Sequence, residues 1–124
     1  VDVRIVTPAV PDKKIVYRLT RANYGVLMQA GVKIYEYTPG FIHAKSVLCD
    51  GECAVVGTIN FDYRSLYHHY ENAVYFAGCS AVQDLQRDCE ETFAVSKLCT
   101  EKDLRKTLIG KLFDAVLRVF ETLL

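Results

Sequence analysis

The sequence predicts an α/β layer structure, and three observations carry the prediction. Val1, Val3 and Ile5 alternate with Asp2 and Arg4 ahead of a long helical stretch. The middle third is rich in β-branched and aromatic residues, broken by Pro39-Gly40 and Asp50-Gly51. Two later segments then repeat apolar residues at helical spacing. With 124 residues, 51% hydrophobic and 24% charged, the chain has the balance of a globular domain around one core rather than of a disordered tail.

Taken in order, the first strand covers Val1 to Val6, and Pro8 and Pro11 break it. After Asp12, a plausible cap, Ile15, Leu19, Ala22, Val26 and Met28 predict a helix through Ala30 that Gly31 stops, with Asn23 and Gly25 weakening its centre. Val32, Ile34 and Tyr35 begin a β-rich stretch that ends at Pro39 and Gly40, and Ala44 to Leu48 and Ala54 to Val56 follow as short strands around the Asp50-Gly51 turn. Asn72 to Phe76 reads as another strand. From about Ser80, the residues Val82, Leu85, Cys89 and Phe93 mark one face of a helix. From Glu101 onward, Leu104, Leu108, Leu112, Ala115, Val119 and Leu123 form a stripe with Lys102, Arg105, Lys106, Lys111 and Arg118 mostly off it, an amphipathic helix weakly interrupted by Gly110.

Lys and Arg number 15 and so do Asp and Glu, which gives no general electrostatic reason for binding a polyanion. The five cysteines, Cys49, Cys53, Cys79, Cys89 and Cys99, are odd in number and contain no pair at zinc-knuckle or thioredoxin spacing, so reduced, partly buried thiols are expected. Cys49 and Cys53 could face one another across the Asp50-Gly51 turn. No apolar run approaches the roughly 20 residues that cross a bilayer, so this stretch is expected to be soluble or peripheral. The chain starts at Val1, inside a strand-like run and without methionine, and is expected to be part of a longer protein.

The residues that carry chemistry lie in the middle third. In His43-Ala44-Lys45-Ser46-Val47-Leu48-Cys49-Asp50, the histidine and lysine stand two apart on a predicted strand, which directs a nucleophile and a fixed cation to one face. Farther on come Gly57-Thr58-Ile59-Asn60. There the glycine permits close backbone approach while the threonine hydroxyl and the asparagine amide offer neutral donors. Together these groups suit a phosphate.

The pattern H-x-K-x4-D-x6-G-[S/T]-x-N resembles the signature of the phospholipase D superfamily, and it is complete. A chance match in a chain this short is on the order of one in a million. A closer resemblance is to bacterial cardiolipin synthases, carried by the lead-in Tyr35-Glu-Tyr-Thr-Pro-Gly-Phe-Ile-His43, by Gly57-Thr-Ile-Asn-Phe-Asp-Tyr-Arg-Ser65, and by Pro11-Asp-Lys-Lys14. It covers the chain through about Phe93.

The resemblance implies a phospholipase D-like half, a mixed β-sheet flanked by helices, with residues 1–96 as the catalytic half and 97–124 as an amphipathic tail packed on the same domain. It implies a phosphatidyl transfer between two phosphatidylglycerol molecules through a phosphohistidine on His43, giving cardiolipin and glycerol, without metal or other cofactor. Lys45 and Asn60 would hold the phosphate oxygens with a weaker contact from Thr58, Gly57 and Glu71 would support the site, and Asp50, the last member of the motif, would be a structural support rather than a proton carrier. One motif is present. The resemblance implies a second HKD half, from the upstream part of an intact chain or from a homodimer, that supplies the general acid. The expected partners are the phospholipid and a membrane surface, with no nucleic acid, and the expected location is the cytoplasmic side of a bacterial cell membrane. A superfamily phosphodiesterase or nuclease working as a homodimer, and a half-domain silent on its own, are the alternatives.

Blander readings stand beside these. His68-His69 with Cys79 or Glu71 could hold a metal, but adjacent histidines on a strand point to opposite sides. Tyr35, Tyr37, Phe41, Phe61, Tyr63, Tyr67 and Tyr70 crowd the motif, which reads as core and loop packing ahead of a lipid-contacting rim. The tail stripe reads as a face covering a sheet or a neighbouring domain ahead of a membrane contact.

Overall fold

Strands β1 (Arg4–Pro8) and β2 (Lys33–Tyr37) pair in parallel, Arg4 opposite Lys33 and Pro8 opposite Tyr37, and helix α1 (Lys14–Gln29) carries the chain between them. A two-residue hairpin cannot join parallel neighbours, and the helix supplies the crossover. The structure, a computed structural model, describes residues 1–104 and 108–119, with the backbone alone described at 108, 109, 111, 113 and 118.

Several local expectations change. β1 begins at Arg4 rather than Val1 and ends on Pro8, its last residue, which an edge strand can accommodate because it has no N–H to donate. Lys13, not Asp12, is the N-cap of α1, and it makes no side-chain cap bond. Gly31 does end the helix: at φ 91° it lets its own N–H reach Met28 O at 3.0 Å and that of Val32 reach Leu27 O at 3.0 Å, a Schellman closure. Ile15 and Val26 of the expected stripe are exposed, while Leu19 and Tyr24 are buried. Tyr24 turns inward because its hydroxyl finds partners there, Thr7 Oγ1 at 2.6 Å and Glu36 Oε1 at 3.4 Å.

The strand Ser96–Leu98, too short at three residues to read from periodicity, pairs antiparallel with β2 on the side away from β1. This mixed sheet, with α1, encloses a core of Tyr24, Ile34 and Cys99, packed by Met28, Val32 and Leu104. Beside that core the buried Glu36 carboxylate accepts from the Tyr17 hydroxyl at 3.2 Å and meets Arg21 Nε at 3.5 Å. A carboxylate out of water keeps its charge only with such partners.

The expected single tail helix is broken. Thr100 donates from its N–H and its hydroxyl to Asp103 Oδ2, at 2.8 and 2.7 Å, and Lys97 pairs with the same carboxylate. Lys97 and then Thr100 hold the Asp103 carboxyl well below the usual carboxylate range. This cap starts a 3₁₀ turn, Glu101–Leu104, ahead of a separate helix, Leu108–Val119, that includes Gly110. Among the described side chains of that helix Asp114 is buried, its Oδ1 accepting from Arg18 Nε at 2.7 Å, while Leu112, Val116 and Val119 are exposed. Leu123 of the expected stripe and Arg105 and Lys106 of its basic flank lie outside the described residues, as do the side chains of Leu108, Lys111 and Arg118.

The chain leaves this first sheet at Tyr37 and returns to it at Ser96, and the intervening stretch closes a sheet of its own. The single core expected from chain length is therefore divided between two compact units, residues 1–42 with 95–124, and residues 43–94. In the second unit, β3 (Ser46–Cys49), β4 (Cys53–Gly57) and β5 (Ala73–Ala77) form an antiparallel meander, Leu48 opposite Ala54 and Ala54 opposite Phe76. Helix α2 (Ser80–Ala94) packs on this sheet through the face expected from sequence, with Val82 fully buried and Leu85, Cys89 and Phe93 half-buried. The α/β class stands, built as two three-stranded sheets flanked by helices.

Candidate active site

The β3–β4 hairpin decides where the motif residues lie. Asp50 and Gly51 take left-handed φ values of 52° and 68°, the conformation that an Asp-Gly hairpin turn favours, and Glu52 N–H closes the turn on Cys49 O at 3.0 Å. Asp50 is thus at the turn end of β3, while His43, Ala44 and Lys45 precede the other end. Five residues of extended chain separate Lys45 from Asp50, about 16 Å at 3.3 Å per residue. Asp50 is placed to shape the turn.

His43 to Lys45 form an irregular segment before β3, not the strand expected from alternation. Its backbone is tied at Lys45, whose carbonyl accepts from Gly57 N–H at 3.1 Å. Lys45 Nζ curls back to donate to His43 O at 2.8 Å. His43 is exposed and Lys45 half-buried.

Antiparallel pairing brings the end of β4 and the start of β5 to this same edge. Gly57 is required there by space: a Cβ would lie 2.3 Å from Asn72 O and 2.6 Å from Ala73 Cα. Those are backbone atoms that cannot move without parting β4 from β5. Just beyond, Thr58 N–H donates to Asn72 O at 2.9 Å and the Thr58 hydroxyl accepts from Asn72 N–H at 3.1 Å. That hydroxyl donates to Glu71 Oε2 at 2.5 Å.

Glu71 collects several groups. The Thr58 hydroxyl first, then the Ser65 hydroxyl, hold its carboxyl below the ordinary value of 4.5, and the charges of His69 and Lys45 act in the same direction. Because the folded value is lowered, the stability contributed by ionised Glu71 is present above 4.5 and is lost as pH falls through the lower folded value. Glu71→Gln should therefore show a shallower loss of stability than the parent chain in the acid window below 4.5, measured as the shift of the urea midpoint from its neutral-pH position. Equal acid sensitivity in the two proteins would show that Glu71 contributes nothing through its charge.

Ser65 was not a candidate by sequence and emerges as the hub of the loop beyond Asn60. It is 7% exposed, its hydroxyl accepts from Asn60 Nδ2 at 3.3 Å, and its N–H donates to Asp62 Oδ1 at 2.7 Å. Arg64–His68 make one π-helical turn, closed by His69 N–H on Arg64 O at 2.9 Å. Such wide turns recur at functional sites and have no period to read in a sequence. The only available signal was a serine standing alone among aromatic residues.

Two side readings change with this loop. His68 and His69 end a helical turn rather than alternating along a strand, and His69 Nε2 accepts from Arg64 Nε at 3.0 Å. Among the described residues no group of three or more His, Cys, Asp or Glu is arranged to hold a metal ion. The aromatic residues do not form a core: Tyr35 and Tyr37 are half-buried, but Phe41, Phe61, Tyr63, Tyr67 and Tyr70 are exposed. The polar bonds to Ser65 occupy the inner side of the turn and leave the rings outside. Cys49 and Cys53 are cross-strand partners in β3 and β4, and all five cysteines are free thiols.

The site thus presents an exposed imidazole, an ammonium, a hydroxyl and a carboxamide from one edge of a small sheet, with the Glu71 carboxylate bonded to that hydroxyl. Against known families, residues 1–93 match the model described as cardiolipin synthase, PLD-like domain. The whole chain is 46% identical to an uncharacterized protein of Streptococcus mutans, of which it covers 27%. It is 37% identical to a cardiolipin synthase of Geobacillus kaustophilus and 36% identical to cardiolipin synthase 2 of Bacillus anthracis, covering 25% and 24% of those proteins. The chain therefore spans about a quarter of the length of the relatives it matches.

Proposed function

The chain belongs to the cardiolipin synthase family of phospholipase D-like domains, and from that premise we propose that it supplies one of two motifs that transfer a phosphatidyl group between phosphatidylglycerol molecules. A ring nitrogen of His43 attacks phosphorus, a P–N bond forms, and the P–O bond to the departing glycerol breaks as a second motif's acid protonates that oxygen. The hydroxyl of another phosphatidylglycerol then gives its proton to the base left on the second motif and attacks phosphorus, the P–N bond breaks, and cardiolipin leaves. Splitting one displacement into two in this way lets a single group serve as nucleophile and leaving group.

Lys45 and Asn60, with a weaker contact from Thr58, counter the charge on the non-bridging oxygens, and Gly57 and Glu71 support that edge. Asp50 holds the hairpin turn. In this reading residues 1–96 form the catalytic half, and 97–124 form a tail held to it through the Arg18–Asp114 pair. The partners are the phospholipid, a membrane surface, and a second motif from the rest of a longer chain or from another copy. The place of action is the cytoplasmic side of a bacterial membrane. Among the described residues no helix is long and apolar enough to cross it.

The observation that carries the reading is the meeting of His43–Lys45 with Thr58–Asn60 at one edge of the β3–β4–β5 sheet, tied by the Lys45–Gly57 and Thr58–Glu71 bonds. Its test couples the solution mass of the chain to turnover of phosphatidylglycerol in micelles. A dimer whose turnover requires His43, or an inactive monomer that becomes active only with a second motif, is the expected result. Turnover by the monomer, or none of any kind from a two-motif assembly, would overturn it.

A further inference from the structure

Just beyond Asn60, the segment from Phe61 to Tyr70 turns five large side chains into solvent: Phe61 is 85% exposed, Tyr63 45%, Leu66 53%, Tyr67 74% and Tyr70 106%. A single exposed apolar residue needs no explanation, but a run of them on one short segment marks a surface that another phase or molecule covers. The segment is also held in shape. Ser65 is bonded to Asp62 and Asn60, Arg64 to His69, and the Tyr63 and Tyr67 rings stack with centroids 5.7 Å apart.

We propose that Phe61–Tyr70 is the face by which this protein enters the interfacial layer of a phospholipid bilayer, an inference that rests on the phosphatidyl-transfer reading of the neighbouring site. Three observations select that occupant. The exposed set is mainly tyrosine, whose ring is apolar and whose hydroxyl stays wet, the balance suited to the headgroup region. The two charged residues of the segment, Asp62 and Arg64, are of opposite sign, and each is bonded within the loop. That arrangement lacks the stripe of cations that a nucleic-acid backbone demands. Finally, a phosphate resting at Lys45, Thr58 and Asn60 carries its acyl chains on the same glycerol. Phe61 follows Asn60 directly and Asn60 is bonded to Ser65 inside the loop, so the apolar part of the lipid arrives where these rings are.

The chain contains no tryptophan, so Tyr67→Trp places a single tryptophan in the segment, one that can be excited apart from the tyrosines. It is made in a His43→Asn background so that turnover does not alter the lipid. With vesicles of phosphatidylglycerol and phosphatidylethanolamine, its emission should shift to shorter wavelength and be quenched by acyl chains brominated near the headgroup. Glu52→Trp, at the opposite end of the β3–β4 hairpin, should do neither. The triple variant Phe61→Ser, Tyr67→Ser, Tyr70→Ser changes only exposed side chains, and it should lower vesicle partitioning at least about tenfold.

Unshifted and unquenched Tyr67→Trp emission with vesicles, together with turnover of dissolved short-chain phosphatidylglycerol by the parent two-motif assembly, would overturn this inference and leave the proposed function standing. Insertion without any turnover of phosphatidylglycerol by a two-motif assembly would instead sink the proposed function. Quenching of Tyr67→Trp by a single-stranded oligonucleotide but not by vesicles would assign the rings to base stacking and reject the bilayer.

Discussion

Replacing His43 with Asn is expected to abolish phosphatidyl transfer in the active two-motif assembly, a loss of about 10⁴-fold or more, while the fold stays intact. Asn keeps a polar side chain of similar size in the exposed segment before β3 but cannot form the P–N bond on which both half-reactions depend. The backbone it sits on is held through its neighbour Lys45 and the Gly57 N–H, so unchanged circular dichroism and melting should accompany the loss. The measurement is acid-quench trapping with phosphate-labelled phosphatidylglycerol. Label should reach protein in the parent and none should reach it in the variant. Label that accumulates in the variant would instead make His43 the proton donor to the leaving alcohol.

Lys45→Ala is expected to cost about 10²- to 10³-fold in kcat/KM, the range for removing one preorganised group that faces developing charge. Its ammonium now spends a hydrogen bond on His43 O at 2.8 Å, a partner it can exchange for a phosphate oxygen by rotation of a flexible stem. The same charge helps keep Glu71 ionised, so the variant should also titrate Glu71 at higher pH than the parent. Kinetics on dissolved short-chain substrate and an NMR titration of the Glu71 carboxyl check the two effects together. Parent-like kcat/KM in Lys45→Ala would remove Lys45 from the phosphate site.

The site was more legible in the sequence than the structure around it. The motif residues proposed to meet the phosphate, His43, Lys45, Gly57, Thr58 and Asn60, are legible from their spacing, and one hairpin brings the segments that carry them to the same sheet edge. Ser65 and His69 were not readable. Their importance comes from bonds to Asn60, Glu71 and Arg64 made across a π-helical turn, and such a turn leaves no periodic trace. The exposed rings of Phe61, Tyr67 and Tyr70 misread as core for a related reason: composition shows that a residue is apolar, not which side of a loop it occupies.

By itself the sequence determined the α/β class, the helix that Gly31 closes, the Asp50-Gly51 hairpin and the apolar face of α2, because each follows from local conformational preference or from a repeat of burial. Tertiary structure alone decided the rest. It divided the six described strands between two sheets, set the three-residue strand Ser96–Leu98 against β2, and turned Asp114 rather than Leu112 or Val119 toward α1. It also moved Asp50 to the far end of the hairpin from His43 while bringing Glu71 to the near end. These outcomes depend on which distant segments compete for the same hydrogen bonds and the same buried volume, and no local stretch of sequence contains that competition.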